Sequence, residues 1–265
     1  MQTTVTTNGT VLTGARLEHV DGLIGGIALS VDGPPDMHDE LRQSTGAFDR
    51  LLVGLARVRE RGIPFGVIHT LTEQSWRHLP WVASFAADNG ASLLQVHPLE
   101  LTGRAASTLD AHEPCVDTLG RAYLLCKALQ GRHGAELKIQ LDLLLRRDIL
   151  AFPELIYADA EGDADSNRLP ADRLGSLVLE GDGTLVPISY GFGRAFALGN
   201  VRRQSLAAAW HAWESGGYER FRRLCRSVFD EIAATDARLV NWHDLVVARS
   251  ATTQQPEQSG HAIAV

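Results

Sequence analysis

"ALSVDGPPDMHDELR", residues 28–42, opens as an apolar strand and runs into Asp, His and Arg. Side chains alternate along a strand, so Gly26–Asp32 puts Ile27, Leu29 and Val31 on one face and Ala28, Ser30 and Asp32 on the other. The large apolar set suits a layer of helices. Ser30 and Asp32 then face the opposite side of the sheet, where ionisable groups need polar company.

Outward from this stretch, strands and helices alternate. Gln2–Thr7, rich in Thr and Val, reads as a strand ending at the turn Asn8-Gly9. Gly46–Arg61 carries Phe48, Leu51, Leu52, Leu55 and Val58 at helical spacing and stops at Gly62. Ile63–Leu71 is a third strand, Ser75–Asn89 a helix with Trp76, Leu79, Val82, Ala83 and Ala86 inward, and Ser92–Pro98 a fourth strand. Helices of this length between strands are right-handed crossovers, which make the strands parallel. The class expected is α/β, a full or partial (β/α) barrel.

Further along, Val116–Arg132 reads as a helix and Glu136–Leu145, with its alternating "LKIQLDL", as a strand. Ser176–Ile188 reads as a hairpin around Gly181-Asp182-Gly183, and Ser205–Trp213 and Tyr218–Ile232 as closing helices. Ala158–Asp165 has calcium-like carboxylate spacing, but Ala164 and Pro170 stand where such a loop needs Gly and Glu, leaving a solvated acidic loop. The organisation expected is 1–115 for the barrel part, 116–249 for its completion and a C-terminal extension, and 250–265 for a disordered tail.

The net charge is −7 with both signs interleaved, which argues against nucleic acid as a partner. No apolar run is long enough to cross a bilayer and the start, "MQTTVTTNGT", has no signal core, so a cytoplasmic protein without a membrane partner is expected. Cys115, Cys126 and Cys225 are the only cysteines, too few for a four-thiolate cluster or zinc site and nowhere spaced as C-x-x-C. They read as small apolar residues.

Parallel β/α sheets gather ligands at the C-terminal ends of their strands. There stand Ser30 and Asp32, His69 and Thr70, and Gln95 and His97. Each alone has an ordinary structural use, such as a turn for Asp32 before Gly33-Pro34 or a hydrogen-bonded core position for a histidine. Together they point to a pocket. Helical H-E-x-x-H, the nucleophile elbow, the phosphate loop and the dinucleotide fingerprint are absent.

"TTNGTVL", "ALSVDGPPDMHDELR", "GAFDRLLVGLARVRERGIPFGVIHTLT" and "GASLLQVHPLELTGRA" together resemble the later part of a radical S-adenosylmethionine (radical SAM) enzyme core, over roughly residues 2–106. "LVLEGDGTLVP…LGNVRRQSLAAAW" further resembles the SPASM-type extension of the maturase-like branch. The resemblance implies a partial (β/α) barrel lacking its first strands, with a small α+β C-terminal extension. It also implies S-adenosylmethionine and a [4Fe–4S] cluster, whose electron cleaves the sulfonium to start radical modification of a peptide or small-molecule substrate. By the same resemblance Ser30 aligns with a position that contacts the methionine or ribose portion. Arg42, Gln95 and His97 fall in segments lining the same cavity, and Asp32 is grouped with them.

The sequence also departs from that pattern. The C-x-x-x-C-x-x-C motif and the G-G-E-P-type motif are absent, and Ile188 follows Val186-Pro187 where cluster-binding relatives place a cysteine. The expectation is a truncated or degenerate member that binds no cofactor alone and is completed by an N-terminal half or a second chain. The alternative is a non-enzymatic binding protein that keeps the half-barrel. On the first reading the Gln2–Thr7 edge is expected to be unpaired and the chain alone prone to association, whereas a monodisperse chain with a cooperative melt would favour the second.

Overall fold

The computed structural model describes residues 3–100, 112–134, 136–156 and 174–252. The acidic stretch at 158–165 lies outside them, as does the expected tail from residue 253 on; Ser250–Thr252 still belong to a helix. The chain forms two compact units, Met1–Leu143 and Leu144–Val265.

The first unit is built on five strands: β1 (Thr4–Thr7), β2 (Gly26–Ser30), β3 (Phe65–Leu71), β4 (Leu93–Pro98) and β5 (Lys138–Leu141). They lie side by side in chain order and every pair is parallel. Helices α1 (Gly14–Val20), α2 (Pro35–Arg42), α3 (Ala47–Glu60), α4 (Leu79–Asp88) and α5 (Val116–His133) make the crossovers. This is a partial (β/α) barrel, an unclosed wall with helices on one side.

Burial follows the alternation. Phe65, Val67, His69 and Leu71 of β3 are buried, as are Leu94 and Val96 of β4, while the residues between them are half-buried. Ile27, Leu29 and Val31 share a core with Leu51, Leu55 and Val58 of α3, as expected from the strand pattern. Among the described residues β1 pairs with β2 alone, and Thr4, Val5 and Thr6 are exposed. Just past β1, Gly9 (φ 76°) turns against Leu29 and Leu51, and its carbonyl meets the bare backbone of α3 at Gly54.

The charged stretch after β2 is a helix rather than a loop. Pro35 opens α2, where a residue without an N–H leaves no donor unsatisfied. The Asp39 carboxylate then accepts the Gly46 and Phe48 amides (the latter at 2.8 Å) and so closes the start of α3. The Phe48 hydrogen bond is the main reason that this carboxyl titrates below its ordinary range.

Expected strand ends shift by one or two residues at β2, β3 and β4, and one expected strand is split. Glu136–Leu145 is not a single strand, because β5 ends at Leu141 and the Asp142 amide makes a last bond to the Val96 carbonyl (3.0 Å). Leu144–Leu145 (β6) instead pairs antiparallel with Leu239–Val240.

The second unit contains α6 (Arg146–Ala151) and a three-stranded antiparallel sheet of β7 (Leu177–Leu179), β8 (Thr184–Pro187) and β9 (Gly199–Asn200). It continues through α7 (Leu206–Glu214), α8 (Gly217–Ala234), β10 (Leu239–Val240) and α9 (Trp242–Thr252). The hairpin turns at Gly183 (φ 88°), and Ser205 caps α7 by accepting the Ala208 amide at 3.2 Å. Phe192, Phe196, Trp210, Trp213 and Phe221 form the aromatic part of its core. This is the small α+β extension.

Candidate functional site

Partners in a parallel ladder share a face, and the register pairs Ser30 with Ile68 and Ile68 with Gln95. One step on, Thr70 pairs with His97, while Gln95 pairs with Gln140 on its other side. Ser30, Thr70, Gln95, His97 and Gln140 therefore stand on the face opposite the helices, toward the C-terminal ends of the strands. Ser30 and Gln95 are two strands apart, about 10 Å.

His69 does not belong to this set. It is fully buried on the helix side, with Nδ1 3.1 Å from the Val31 carbonyl oxygen, and burial pushes its pKa down so that it stays neutral. Alternation from Val67 would have placed it there, since the two residues share a face.

Two polar clusters frame the face. At the end of β2, the fully buried Asp32 accepts Arg42 Nε at 2.6 Å and the Thr70 amide at 3.4 Å. The Asp32 amide donates to Nδ1 of His38 at 3.2 Å, and burial lowers the pKa of that imidazole, so His38 is neutral and acts as acceptor. Arg42 is a third exposed. Asp32 is thus covered, and Arg42 is the member of the pair that reaches the surface. Among the described residues the Ser30 hydroxyl has no protein partner.

The second cluster is one that the strand-end reading missed. The Asp142 carboxylate accepts Gln95 Nε2 at 2.6 Å, His97 Nδ1 at 2.9 Å and Gln140 Nε2 at 3.2 Å. His97 Nε2 lies 2.9 Å from Glu100 Oε1. Burial works against charge on His97, but Asp142 and Glu100 outweigh it, and its pKa is raised to about 10. Burial likewise opposes charge on Asp142, yet the hydrogen bonds from His97 and Gln95 hold its carboxyl below the ordinary range. An imidazolium between two carboxylates results.

The thiols have other surroundings. Cys115 starts α5, where the Glu73 carboxylate accepts its amide and the Thr118 hydroxyl, both at 2.9 Å. Cys126 and Cys225 are buried, their thiols pushed up to about 12 by burial, and they belong to different units. Among the described residues no group of three or more His, Cys, Asp or Glu is arranged to hold a metal ion. No helix among them is long and apolar enough to cross a membrane.

No family model matches the chain. It is 30% identical over 101 residues to the pre-heme d1 synthase of Dinoroseobacter shibae, covering 38% of this chain and 25% of that protein. It is 29% identical over 101 residues to the AdoMet-dependent heme synthase of Oleidesulfovibrio alaskensis, covering 37% and 26%. The matches thus span about a quarter of these relatives' length. In structure it is similar to anSMEcpe with bound AdoMet and Cp18Cys peptide (TM-score 0.57, 16% identity, 94% of this chain and 67% of that one). It is also similar to Streptococcus suis SuiB bound to its precursor peptide SuiA (TM-score 0.50, 19% identity, 71% and 42%). The resemblance to the radical SAM superfamily holds in sequence, and the partial barrel is the fold of those enzymes.

Proposed function

We propose that, contrary to the expectation that it binds no cofactor alone, this chain holds S-adenosylmethionine over the half-buried face of its parallel sheet, as the ligand-binding part of a radical SAM protein. The observation carrying this reading is the register of that face, where Ser30, Thr70, Gln95 and His97 line up at the strand ends that the helices leave uncovered. In this reading the Ser30 hydroxyl, without a partner among the described residues, and the Arg42 guanidinium, held by Asp32, take the polar end of the cofactor. Gln95 and His97 take groups lying across β4.

The [4Fe–4S] cluster of the family would supply the electron for sulfonium cleavage, but the residues present do not fit it. Cys115 is tied to Glu73, and Cys126 and Cys225 are buried, protonated thiols in separate units, whereas such clusters need converging thiolates. A cluster would need thiolates other than these three, and the chemistry it would supply is not routed through residues of this chain.

For the substrate we propose a peptide. The curated relatives are named for haem synthesis, but those matches take in 37–38% of the chain. The likeness to anSMEcpe, solved with a peptide, takes in 94% and so reaches into the extension. The test is calorimetric titration of the full chain with S-adenosylhomocysteine, alongside Ser30→Ala and Arg42→Ala. Saturable binding weakened in both variants supports the reading, and no binding by the wild type overturns it.

A further inference from the structure

Side chains from two neighbouring strands converge on one carboxylate at the end of β5. Asp142, 5% exposed, receives Gln95 from β4, Gln140 from β5 and the His97 imidazolium. A carboxylate can only accept. Each glutamine must therefore commit an amide hydrogen to Asp142, which turns its Oε1 the other way. Neither Oε1 has a protein partner among the described residues.

The remaining nitrogen of His97 lies 2.9 Å from the buried Oε1 of Glu100, an ion-pair contact that closes the far side of the imidazolium. What this end of the sheet offers a visitor is thus a pair of amide oxygen acceptors, those of Gln95 and Gln140. With Asp142 and Glu100 negative and His97 positive, the cluster carries one net negative charge. An anion placed over it would be repelled, and a donor would find acceptors already oriented.

We propose that Asp142 is the positioning residue of this face, and that the ligand group it selects over the ends of β4 and β5 is a hydrogen-bond donor. That class comprises hydroxylated, amide N–H or ammonium-bearing edges, and excludes carboxylates and phosphates. The inference rests on the reading that this face binds a ligand, and it adds the polarity of the group received at one end.

The experiment follows the side-chain amide signals of Gln95 and Gln140 and the imidazole signals of His97 by NMR on the full chain. S-adenosylhomocysteine should shift the two amides saturably, and inorganic phosphate at millimolar concentration should leave them unmoved. Asp142→Asn, whose carboxamide can donate as well as accept, should weaken binding about tenfold. In the same variant His97 should titrate well below its wild-type pKa. An Asn variant that binds like the wild type with His97 unchanged, or saturable shifts with phosphate, overturns the proposal.

If the wild type does not bind S-adenosylhomocysteine, the cofactor reading fails by itself, and the phosphate arm and His97 titration still decide this one. Should Asp142→Asn not fold, Gln140→Leu at an exposed position serves instead. A several-fold loss of affinity supports the proposal and no loss overturns it.

Discussion

Raising the pH should loosen the end of β4. The His97 imidazolium lies 2.9 Å from Asp142 and 2.9 Å from Glu100, and its pKa is raised from 6.5 to about 10. A raised value means that the folded state binds the proton more tightly. The stability this contributes is therefore complete below about pH 6.5 and is lost as pH climbs through about 10. Each tenfold in proton affinity corresponds to about 1.4 kcal/mol, so the ceiling is about 5 kcal/mol. The side chain is 30% exposed, so water screens the pair. Burial of Asp142 also offsets part of the attraction, which leaves about 2 kcal/mol.

Urea unfolding of the full chain at intervals from pH 6.5 to 10 would measure this, followed through the amide signals of β4 and β5 so that the first unit is read on its own. His97→Gln keeps a donor toward Asp142 without the charge, and should flatten the profile by that same amount of about 2 kcal/mol. Parallel profiles for the two proteins would refute the reasoning.

The other expectations concern packing, a buried ion pair and iron. Gly54→Ala would drive a methyl into the Gly9 carbonyl and should cost about 2–3 kcal/mol, whereas Gly120→Ala in α5 meets open space and should gain up to about 1 kcal/mol; thermal melts compare them. Arg42→Ala leaves the Asp32 carboxylate buried and unpaired, at a cost of about 3 kcal/mol. Adding Asp32→Asn should recover part of that loss, and strict additivity in denaturant titrations would contradict the pairing. Anaerobic reconstitution should yield no stoichiometric cluster on this chain, and iron analysis finding about four atoms per chain would contradict the assignment of its thiols.

How much could be read from sequence depended on burial. The strands and α3 were legible because their apolar residues keep strict periods, and the faces of Ile27, Leu29 and Val31 followed directly. Helix α2 was not, since His38 is its only buried residue and Pro34-Pro35 looks like a turn until Pro35 is seen to open a helix. The Ser30 side of the sheet was legible by counting in twos, but His69 was misplaced because its chemistry was read before its parity. Asp142 was missed for a related reason. Extending "LKIQLDL" through Leu145 made it one more strand residue, although Lys138, Gln140 and Asp142 share parity on the side that pairs with Gln95. Its three partners come from two strands, one of them more than forty residues earlier, and no local pattern announces such a meeting.

The outermost strand raises a question of alignment. β1 reads Thr-Val-Thr-Thr, and sliding it two residues along β2 would return threonine to the same face. Its side chains therefore fix phase but not position. Position is supplied from beyond the strand, where the Gly9 turn rests on α3 at Gly54 with no side chain on either residue to hold them apart. The contact works as an end-stop: any bulk added there pushes the turn back along the barrel wall and draws the strand with it. The rim beside Ser30 is thus metered by two hydrogen atoms standing where side chains would be.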